Sequence, residues 1–425
     1  MFNFKRINIE EMRGTGLFYA ARLVPGLLNL ALVVFLIDAL PAADYGKFST
    51  WFALCLGSAF FFFGWITQSV ARHANAKDDL IGKAPEVFAV SAAISFCCMI
   101  IFYGAATTLF LPPAVSTSFV VLSFSIALHG VHSIVSATQQ ARFNYSRYIL
   151  AEISRPLFAL LMCMLSVFLF EADSEFAKSG YLSGQVIGVV ALLVLFRREA
   201  AWLTSRIRQV PHLLPEVKEK ALRIFSYGAP VSIWLAINSA WPAFERYLIE
   251  LHSDSNEVGI YAAEYDIVFR AFVFALLPIT LYSQPHIFRA YANADFDLVS
   301  RLIRRAITVQ FVVGIVFSTV YLVTIFAVFR DYEVFSSMRF ENVLLLCAAA
   351  MSWQIALSSH KWLECKKRVS AMLVIQIASL VFGALIATTL FNRFGTAAFA
   401  VGLTIAGTIY SFTCSSVGRR MRETQ

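Results

Sequence analysis

Four arginines stand inside long apolar runs of this sequence: Arg22, Arg155, Arg246 and Arg270. A guanidinium in an apolar environment costs free energy, so such residues occur mainly where they bind an anion or pair with a buried acid. The planar guanidinium donates hydrogen bonds in a fork that suits phosphate and carboxylate oxygens. These positions therefore predict a binding site for a phosphorylated or otherwise anionic molecule.

Arg270 is the first candidate, because it falls near the middle of its apolar run. Asp266 precedes it by four residues on the same helix face, so the two either form a helical salt bridge or hold an anionic ligand and take part in ion coupling. Arg22 shares a helical stripe with Asn29 and is a second candidate for substrate binding. Alternatively, its side chain extends to the membrane surface. Asn238 is a further candidate for substrate binding.

Three more positions are candidates for a gate: Arg155, Glu245 and Arg246. Glu152 and Arg155 also fit an interfacial ion pair, and Glu245 with Arg246 also fits an anchor at the outer end of a span. Glu264 is a weaker candidate for proton or sodium coupling, because it lies about 120° from Arg270 around the helix.

The sequence predicts no catalytic site, no metal and no cofactor beyond a possible coupling ion, H⁺ or Na⁺. His129 and His132 have a spacing that metal ligands use, but no third ligand is in view, so packing is the favoured interpretation. The seven cysteines form no CxxC pair and imply no disulfide framework. No P-loop is present, so this chain hydrolyses no ATP.

Composition shows which elements must hold these residues. Hydrophobic residues make up 59% of the 425 residues and charged residues 15%, against about 25% charged in ordinary soluble domains. A bilayer span needs about 20 apolar residues. The pattern predicts an all-α polytopic membrane protein with about twelve spans, at 17–40, 48–70, 86–110, 113–136, 149–171, 176–196, 222–247, 259–283, 306–329, 341–360, 369–391 and 396–418.

The distribution of positive charge predicts the orientation. With the N-terminus inside, 26 of the 35 Lys and Arg residues fall in cytoplasmic segments and 5 in outer loops. This asymmetry follows the positive-inside rule. We therefore predict a multi-pass protein of the bacterial inner membrane with both termini in the cytoplasm. In a membrane protein, the net charge of +8 reflects the basic cytoplasmic segments. We therefore predict no nucleic-acid partner.

Two halves of the sequence carry similar motifs. Asp44-Tyr45-Gly46-Lys47-Phe48 follows span 1, and Glu257-Val258-Gly259-Ile260-Tyr261 follows span 7. Since six spans separate them, the repeats are parallel and related by an axis along the membrane normal. We predict an N-terminal six-helix lobe at 1–196, a cytoplasmic basic linker at 197–221 and a C-terminal six-helix lobe at 222–425. Two such lobes suit a transporter that alternates between inward and outward states.

Further motifs accompany the Asp44 motif along the chain: Arg22 with Pro25-Gly26, Thr138-Gln139-Gln140-Ala141-Arg142-Phe143-Asn144, Glu152-Ile153-Ser154-Arg155-Pro156, Phe225-Ser226-Tyr227-Gly228-Ala229-Pro230, Glu245-Arg246-Tyr247-Leu248 and Val258-Gly259-Ile260-Tyr261-Ala262-Ala263. Together these motifs resemble those of the Wzx-like polysaccharide flippases, in the superfamily that includes the multidrug and toxin extrusion transporters and the lipid II flippases. The resemblance covers nearly the whole chain.

The resemblance implies a function in the assembly of O-antigen, lipopolysaccharide, capsule or exopolysaccharide. The cargo would be a lipid-diphosphate-linked oligosaccharide, an undecaprenyl-diphosphate repeat unit, that moves from the inner to the outer leaflet. It also implies that spans 1, 2, 7 and 8 line the cavity, which favours Arg22 and Arg270. The expected partners are this lipid-linked oligosaccharide, membrane lipids and other membrane proteins of polysaccharide assembly.

Two alternatives stay open at this point. The first is an ion-coupled exporter of another small or anionic cargo on the same fold. The mid-membrane arginines favour an anionic cargo, because a cation antiporter would use carboxylates. The second is an oligosaccharide polymerase or ligase, which the outer loops of about ten residues or fewer disfavour, since they leave little room to build a catalytic site.

Overall fold

The computed structural model describes residues 9–73, 85–110, 116–141, 144–197, 210–328 and 337–423. Regular structure in these ranges is entirely helical. The described residues form twelve long helices: α1 Ile9–Ala39, α2 Ala42–His73, α3 Pro85–Phe110, α4 Ser116–Ala141, α5 Tyr145–Leu169, α6 Ser174–Leu195, α7 Val210–Glu250, α8 Ser255–Ala292, α9 Phe296–Val323, α10 Phe340–Ser359, α11 Val369–Phe394 and α12 Ala397–Glu423.

Ten of these helices are long and apolar enough to cross a membrane. In α1 the described apolar stretch is shorter, Leu23–Ala39, and α7 is not among the ten. The predicted all-α membrane fold is confirmed. The helix boundaries differ most at α7, which begins at Val210 and not at 222, so the second half of the predicted linker is helical.

The chain divides into two compact units. Unit 1 comprises Met1–Phe35 and Trp51–Trp241, and unit 2 comprises Leu36–Thr50 and Pro242–Gln425. All three boundaries fall inside helices, so the last residues of α1 and the first turns of α2 belong to unit 2, and most of α7 belongs to unit 1.

In unit 1, α5 and α6 pack backbone against backbone. A Cβ added to Gly180 of α6 would lie 2.7 Å from the carbonyl oxygen of Met162, and one on Gly188 would lie 3.2 Å from the Cα of Arg155. A stripe of small residues allows such an approach between membrane helices. The packing holds α5, which carries Arg155, in a fixed position within the unit.

In unit 2, α8 is fixed at both ends. Its N-cap Asp254 accepts a hydrogen bond from the backbone N–H of Glu257, and Asp295 caps the next helix, α9, in the same way. These caps satisfy N–H groups that a helix start leaves without partners. Between them α8 continues through two prolines, Pro278 and Pro285, and it carries Glu264, Asp266 and Arg270.

Candidate functional site

A buried group of charged and hydroxyl side chains surrounds Asp266 in unit 2. Asp266 is the twelfth residue of α8, about 16 Å along the helix axis at 1.5 Å per residue. We define the Asp266 cluster as Asp266, Arg246, Arg270, Tyr45 and Ser49. The last turns of α7 carry Arg246 and the first turns of α2 carry Tyr45 and Ser49, so three helices meet at one carboxylate.

Three side chains donate hydrogen bonds to Asp266. Arg246 Nη2 lies 3.1 Å from Oδ1 and forms an ion pair. The hydroxyl of Tyr45 donates to Oδ2 at 2.8 Å, and Ser49 donates to the same oxygen. Because Arg246 is only 1% exposed and Asp266 13%, the pair compensates charges that would each be costly to bury alone.

Aromatic rings and a second acid complete the surroundings of Arg246. Its guanidinium lies over the Tyr265 ring, 5.7 Å from the centroid, a geometry that adds cation–π attraction. The neighbouring Glu245 is 3% exposed and accepts a hydrogen bond from the Tyr261 hydroxyl at 3.4 Å. The structure therefore places both predicted gate residues of α7 inside unit 2, where they bind other side chains of that unit.

Arg270 is the more accessible arginine of the cluster. It follows Asp266 by one helical turn on the same face and is half-buried, whereas Arg246 is almost fully buried. Its charge acts on Asp266, Tyr45 and Tyr265. The cluster thus contains an almost fully buried arginine paired with the carboxylate and a second arginine that is partly accessible, which is an arrangement able to bind an anion.

The two glycines of the repeated motif contact each other where α2 and α8 begin. A Cβ added to Gly46 would lie 3.0 Å from the Cα and the nitrogen of Gly259, and a Cβ on Gly259 would collide with the backbone carbonyl of Ala42. Only glycine permits such a close approach. The crossing brings Tyr45 and Ser49 to Asp266, so the motif that indicated a repeat also positions the cluster.

Glu264 binds on another side of α8. It is fully buried, and its carboxylate accepts hydrogen bonds from the backbone N–H of Arg339 at 2.7 Å and from Asn342 Nδ2 at 2.8 Å. Asn342 also donates to Thr396 at 3.0 Å. Because N–H groups point at both carboxylate oxygens, the site disfavours a cation and joins the start of α10 to α8 and α12. These contacts give Glu264 an anchoring role, and the coupling role stays a prediction.

Arg155 lies in α5 of unit 1 and contacts α4. It is the tenth residue of the apolar span Ser146–Leu169, about 14 Å from its start. Arg155 Nη1 bonds His129 Nδ1, and Glu152 accepts from Ser136. These bonds run to α4, so the two residues serve an interhelical junction in this structure and not the interfacial pair that their spacing suggested.

The histidine spacing in α4 has the same explanation. His132 Nε2 lies 2.7 Å from the carbonyl oxygen of Ala151, and His129 bonds Arg155. Across the described ranges, no group of three or more His, Cys, Asp or Glu side chains could hold a metal ion.

The remaining candidates are the two asparagines and Arg22. Asn29 Nδ2 donates to the Pro25 carbonyl at 2.8 Å, and Asn238 Nδ2 donates to the Trp234 carbonyl at 3.0 Å. Each amide therefore binds its own helix one turn back, and both side chains are half-buried. Arg22 belongs to α1, but its side chain lies outside the part that the structure describes.

Tyr45 and Ser49 were missed as site residues by the sequence reasoning. They lie 221 and 217 residues from Asp266 along the chain, and no local periodicity connects positions so far apart. The one available signal was the repeat, because Tyr45 stands next to Gly46, and matched glycines in a duplicated motif mark a place where backbones approach.

Solved structures with a similar fold are transporters. An inward-facing multidrug resistance MATE family transporter of the MOP superfamily has a TM-score of 0.64 at 14% identity, over 94% of this chain and 95% of that chain. Its outward-facing counterpart has 0.60 at 13%, over 99% and 97%. A MOP superfamily transporter from Pyrococcus furiosus, reported with a binding pocket of reverse polarity, has 0.61 at 14%, over 97% and 95%.

The fold is therefore that of the MOP superfamily transporters, as the sequence resemblance implied. The chain belongs to the polysaccharide biosynthesis protein family, whose model matches residues 12–291. No curated protein matches the chain. Fold and family together make it a multi-pass membrane protein of polysaccharide biosynthesis with a transporter fold.

Proposed function

We propose that this protein moves a lipid-diphosphate-linked oligosaccharide, such as an undecaprenyl-diphosphate repeat unit, across the bacterial inner membrane for assembly of O-antigen, capsule or exopolysaccharide. Its expected orientation has both termini in the cytoplasm. Alternating access is the mechanism that fits, since relatives of this fold include an inward-facing and an outward-facing transporter.

The observation that carries the proposal is a half-buried arginine beside a buried ion pair in a chain of the polysaccharide biosynthesis family. The isoprenoid tail of such a lipid is soluble in the bilayer, but its diphosphate and sugar hydroxyls are not. Each polar group that loses water without a new partner costs several kcal/mol, about 2 to 7. A protein that moves the molecule must therefore offer hydrogen-bond donors and positive charge along the way.

Arg270 is the residue that we assign to the diphosphate. Asp266 is held by Arg246, Tyr45 and Ser49, and Arg270 lies one helical turn from it on the same helix. The cluster thus places a guanidinium beside a carboxylate whose position is already fixed by other side chains. At 4 Å, one phosphate charge and one guanidinium attract each other by about 4 kcal/mol at an effective dielectric constant of 20.

The test is transport by purified protein in proteoliposomes, with a lipid-diphosphate-linked oligosaccharide as cargo. Arg270→Ala should reduce the transport rate at least about 100-fold, and Arg270→Lys should retain part of it, because lysine keeps the charge and loses the fork. Arg289→Ala is the matched control, since Arg289 is an exposed arginine in the last turn of the same helix. Full transport by inserted Arg270→Ala protein would refute the assignment.

The cargo is tested separately. Wild-type protein should move the diphosphate-linked oligosaccharide and leave a cationic drug such as an ethidium-type dye in place. The fold is shared with multidrug resistance transporters, so export of the dye or of another small anion, with no movement of the lipid-linked oligosaccharide, would establish the alternative cargo and overturn the proposed one.

A further inference from the structure

We propose that an apolar groove between α2, α3 and α7 of unit 1 holds the isoprenoid chain of the substrate, with Lys218 binding its phosphate at one end, in a bound state separate from the one at Arg270. The inference rests on the proposed function and concerns a different part of the molecule from the Asp266 cluster. We call this feature the chain groove. Its wall residues are Phe61 and Trp65 of α2, Ile94 of α3, and Leu222 and Phe225 of α7, and Lys218 lies at its end.

The walls of the groove have no polar group that needs a ligand. The indole N–H of Trp65 donates to the Phe62 carbonyl at 2.9 Å and to the Ser95 hydroxyl at 3.1 Å. The Ser232 hydroxyl donates to the carbonyl of Phe60. Polar side chains in the lining thus bind within the protein, and what faces the space is aromatic and aliphatic.

The floor of the groove is a tight contact between α2 and α7. Gly228 lies so close to α2 that an added Cβ would collide with the Trp65 backbone, and a Cβ on Gly64 would lie 2.7 Å from the Ser232 hydroxyl. The two helices cannot separate to fill the space without losing this contact. The side chains at the rim are largely exposed: Phe61 is 53%, Ile94 52% and Phe225 50% exposed.

The dimensions of the groove suit one extended hydrocarbon chain. Along α7 the lining runs from Lys218 to Ile233, roughly 22 Å at 1.5 Å per residue. The space has a volume of about 560 Å³. The groove is longer than the thickness of one hydrocarbon leaflet, about 15 Å.

Lys218 decides which lipid the groove selects. A lipid chain gains little by leaving other chains for an apolar wall, because the two environments are equally apolar. The selectivity must then come from the head group, and an exposed lysine at the end of the groove attracts phosphate. A diphosphate carries more negative charge than a phospholipid phosphodiester, so the occupant to which we commit is the polyprenyl diphosphate end of the cargo.

The experiment is site-specific photo-cross-linking in vesicles of phosphatidylethanolamine and phosphatidylglycerol that contain radiolabelled polyprenyl diphosphate. The photoreactive residue p-benzoylphenylalanine replaces Phe225 in the groove or, as the matched control, Phe124 of α4, which is 60% exposed and outside the groove. The Phe225 position should label polyprenyl diphosphate several-fold more than Phe124 does, relative to phospholipid. Lys218→Ala should lower that labelling about fivefold, and Lys220→Ala, on the opposite helix face, should not.

Two outcomes overturn the inference: an equal ratio of polyprenyl diphosphate to phospholipid labelling at both positions, or labelling at Phe225 that Lys218→Ala leaves unchanged. Polyprenyl alcohol, which lacks the phosphates, should label Phe225 more weakly, and equal labelling would also refute the role of Lys218. Since the assay needs no transport, Arg270→Ala protein should retain the Phe225 signal. The cross-linking assay thus tests whether the groove binds the isoprenoid chain, and the transport assay tests the proposed function independently.

Discussion

At the scale of single residues, Arg246 and Asp266 form the ion pair on which the rest of the cluster depends. Its 3.1 Å contact joins α7 to α8, and Tyr45 and Ser49 join α2 to the same carboxylate. Replacing one member of a buried ion pair leaves the charge of the other member uncompensated. The resulting loss of folding stability exceeds the net contribution of the intact pair.

We predict that Arg246→Met lowers the free energy of unfolding by about 3 to 5 kcal/mol. The double variant Arg246→Met with Asp266→Asn should recover part of that loss, because the uncompensated charge is gone. Thermal unfolding in detergent, followed by tryptophan fluorescence, measures both. Arg289→Met is the control, and a double variant no more stable than the single one would contradict the prediction.

Residue types and spacing indicated Arg246, Asp266 and Arg270 as candidates, because charged groups inside apolar runs are costly and therefore conspicuous. They did not indicate that Arg246 pairs with Asp266. Helical spacing offered Arg270, four residues away, as one partner, and the structure adds an ion pair with Arg246, from another helix. A sequence shows neighbours one turn apart, but the choice between competing partners depends on how helices pack.

At the scale of elements, Glu264 fixes the start of α10. It accepts from the Arg339 backbone and from Asn342, and Asn342 continues to Thr396 at the start of α12. The anchoring role and the ion-coupling role of Glu264 require different chemical properties of its side chain. An anchor needs hydrogen-bond acceptors, whereas a coupling site needs an ionisable carboxyl.

We therefore predict that Glu264→Gln retains more than about half of the transport rate, because glutamine keeps one acceptor oxygen. Glu264→Ala should lower stability by about 1 to 3 kcal/mol, since buried N–H groups lose their partner. Transport in proteoliposomes and thermal unfolding are the two measurements. If Glu264→Gln unfolds like wild type yet abolishes transport, the carboxyl is a coupling group and the anchoring role is wrong.

The crossing of α2 and α8 gives a second prediction at this scale. Gly259→Ala should destabilise the protein by about 1 to 3 kcal/mol, because the new Cβ would collide with the backbone of Ala42. Gly26→Ala in α1 is the matched control, since no atom lies within 4 Å of the added Cβ, and there alanine should stabilise by up to about 1 kcal/mol. Equal melting temperatures for the two variants would contradict a tight crossing.

Helix existence was predictable from the sequence, and the helix ends less so. Apolar runs identified the twelve helices, because ten of them are long and apolar enough to match a bilayer span. The start of α7 at Val210 was not predicted, since Arg197 to Lys220 is polar and basic and has no continuous apolar run to indicate a helix. The Arg155–His129 contact was likewise hidden, because it joins α4 to α5 through residues 26 positions apart.

At the scale of the whole molecule, the orientation in the membrane is the prediction with the widest consequences. It assigns the α7–α8 turn to the outer side and both termini to the cytoplasm, on the positive-inside rule. Alkaline phosphatase inserted at Ser253 should be active, because the enzyme folds only outside the cytoplasm, whereas a fusion after Gln425 should be inactive. A fluorescent protein fused after Gln425 should fluoresce, because it folds in the cytoplasm. Active phosphatase after Gln425 together with inactive phosphatase at Ser253 would invert the proposed direction of transport.

The bond between Arg155 and His129 also fixes a proton position. A guanidinium only donates hydrogen bonds, so Nδ1 of His129 must offer a lone pair, and its proton belongs on Nε2. His132 has the matching requirement on its own ring, because Nε2 faces the carbonyl oxygen of Ala151 and must carry the hydrogen. Both imidazoles therefore carry their proton on Nε2 and leave Nδ1 unprotonated. The nitrogen-15 resonances of a selectively labelled sample report this tautomer, and with it whether the α4–α5 junction stays closed while cargo passes.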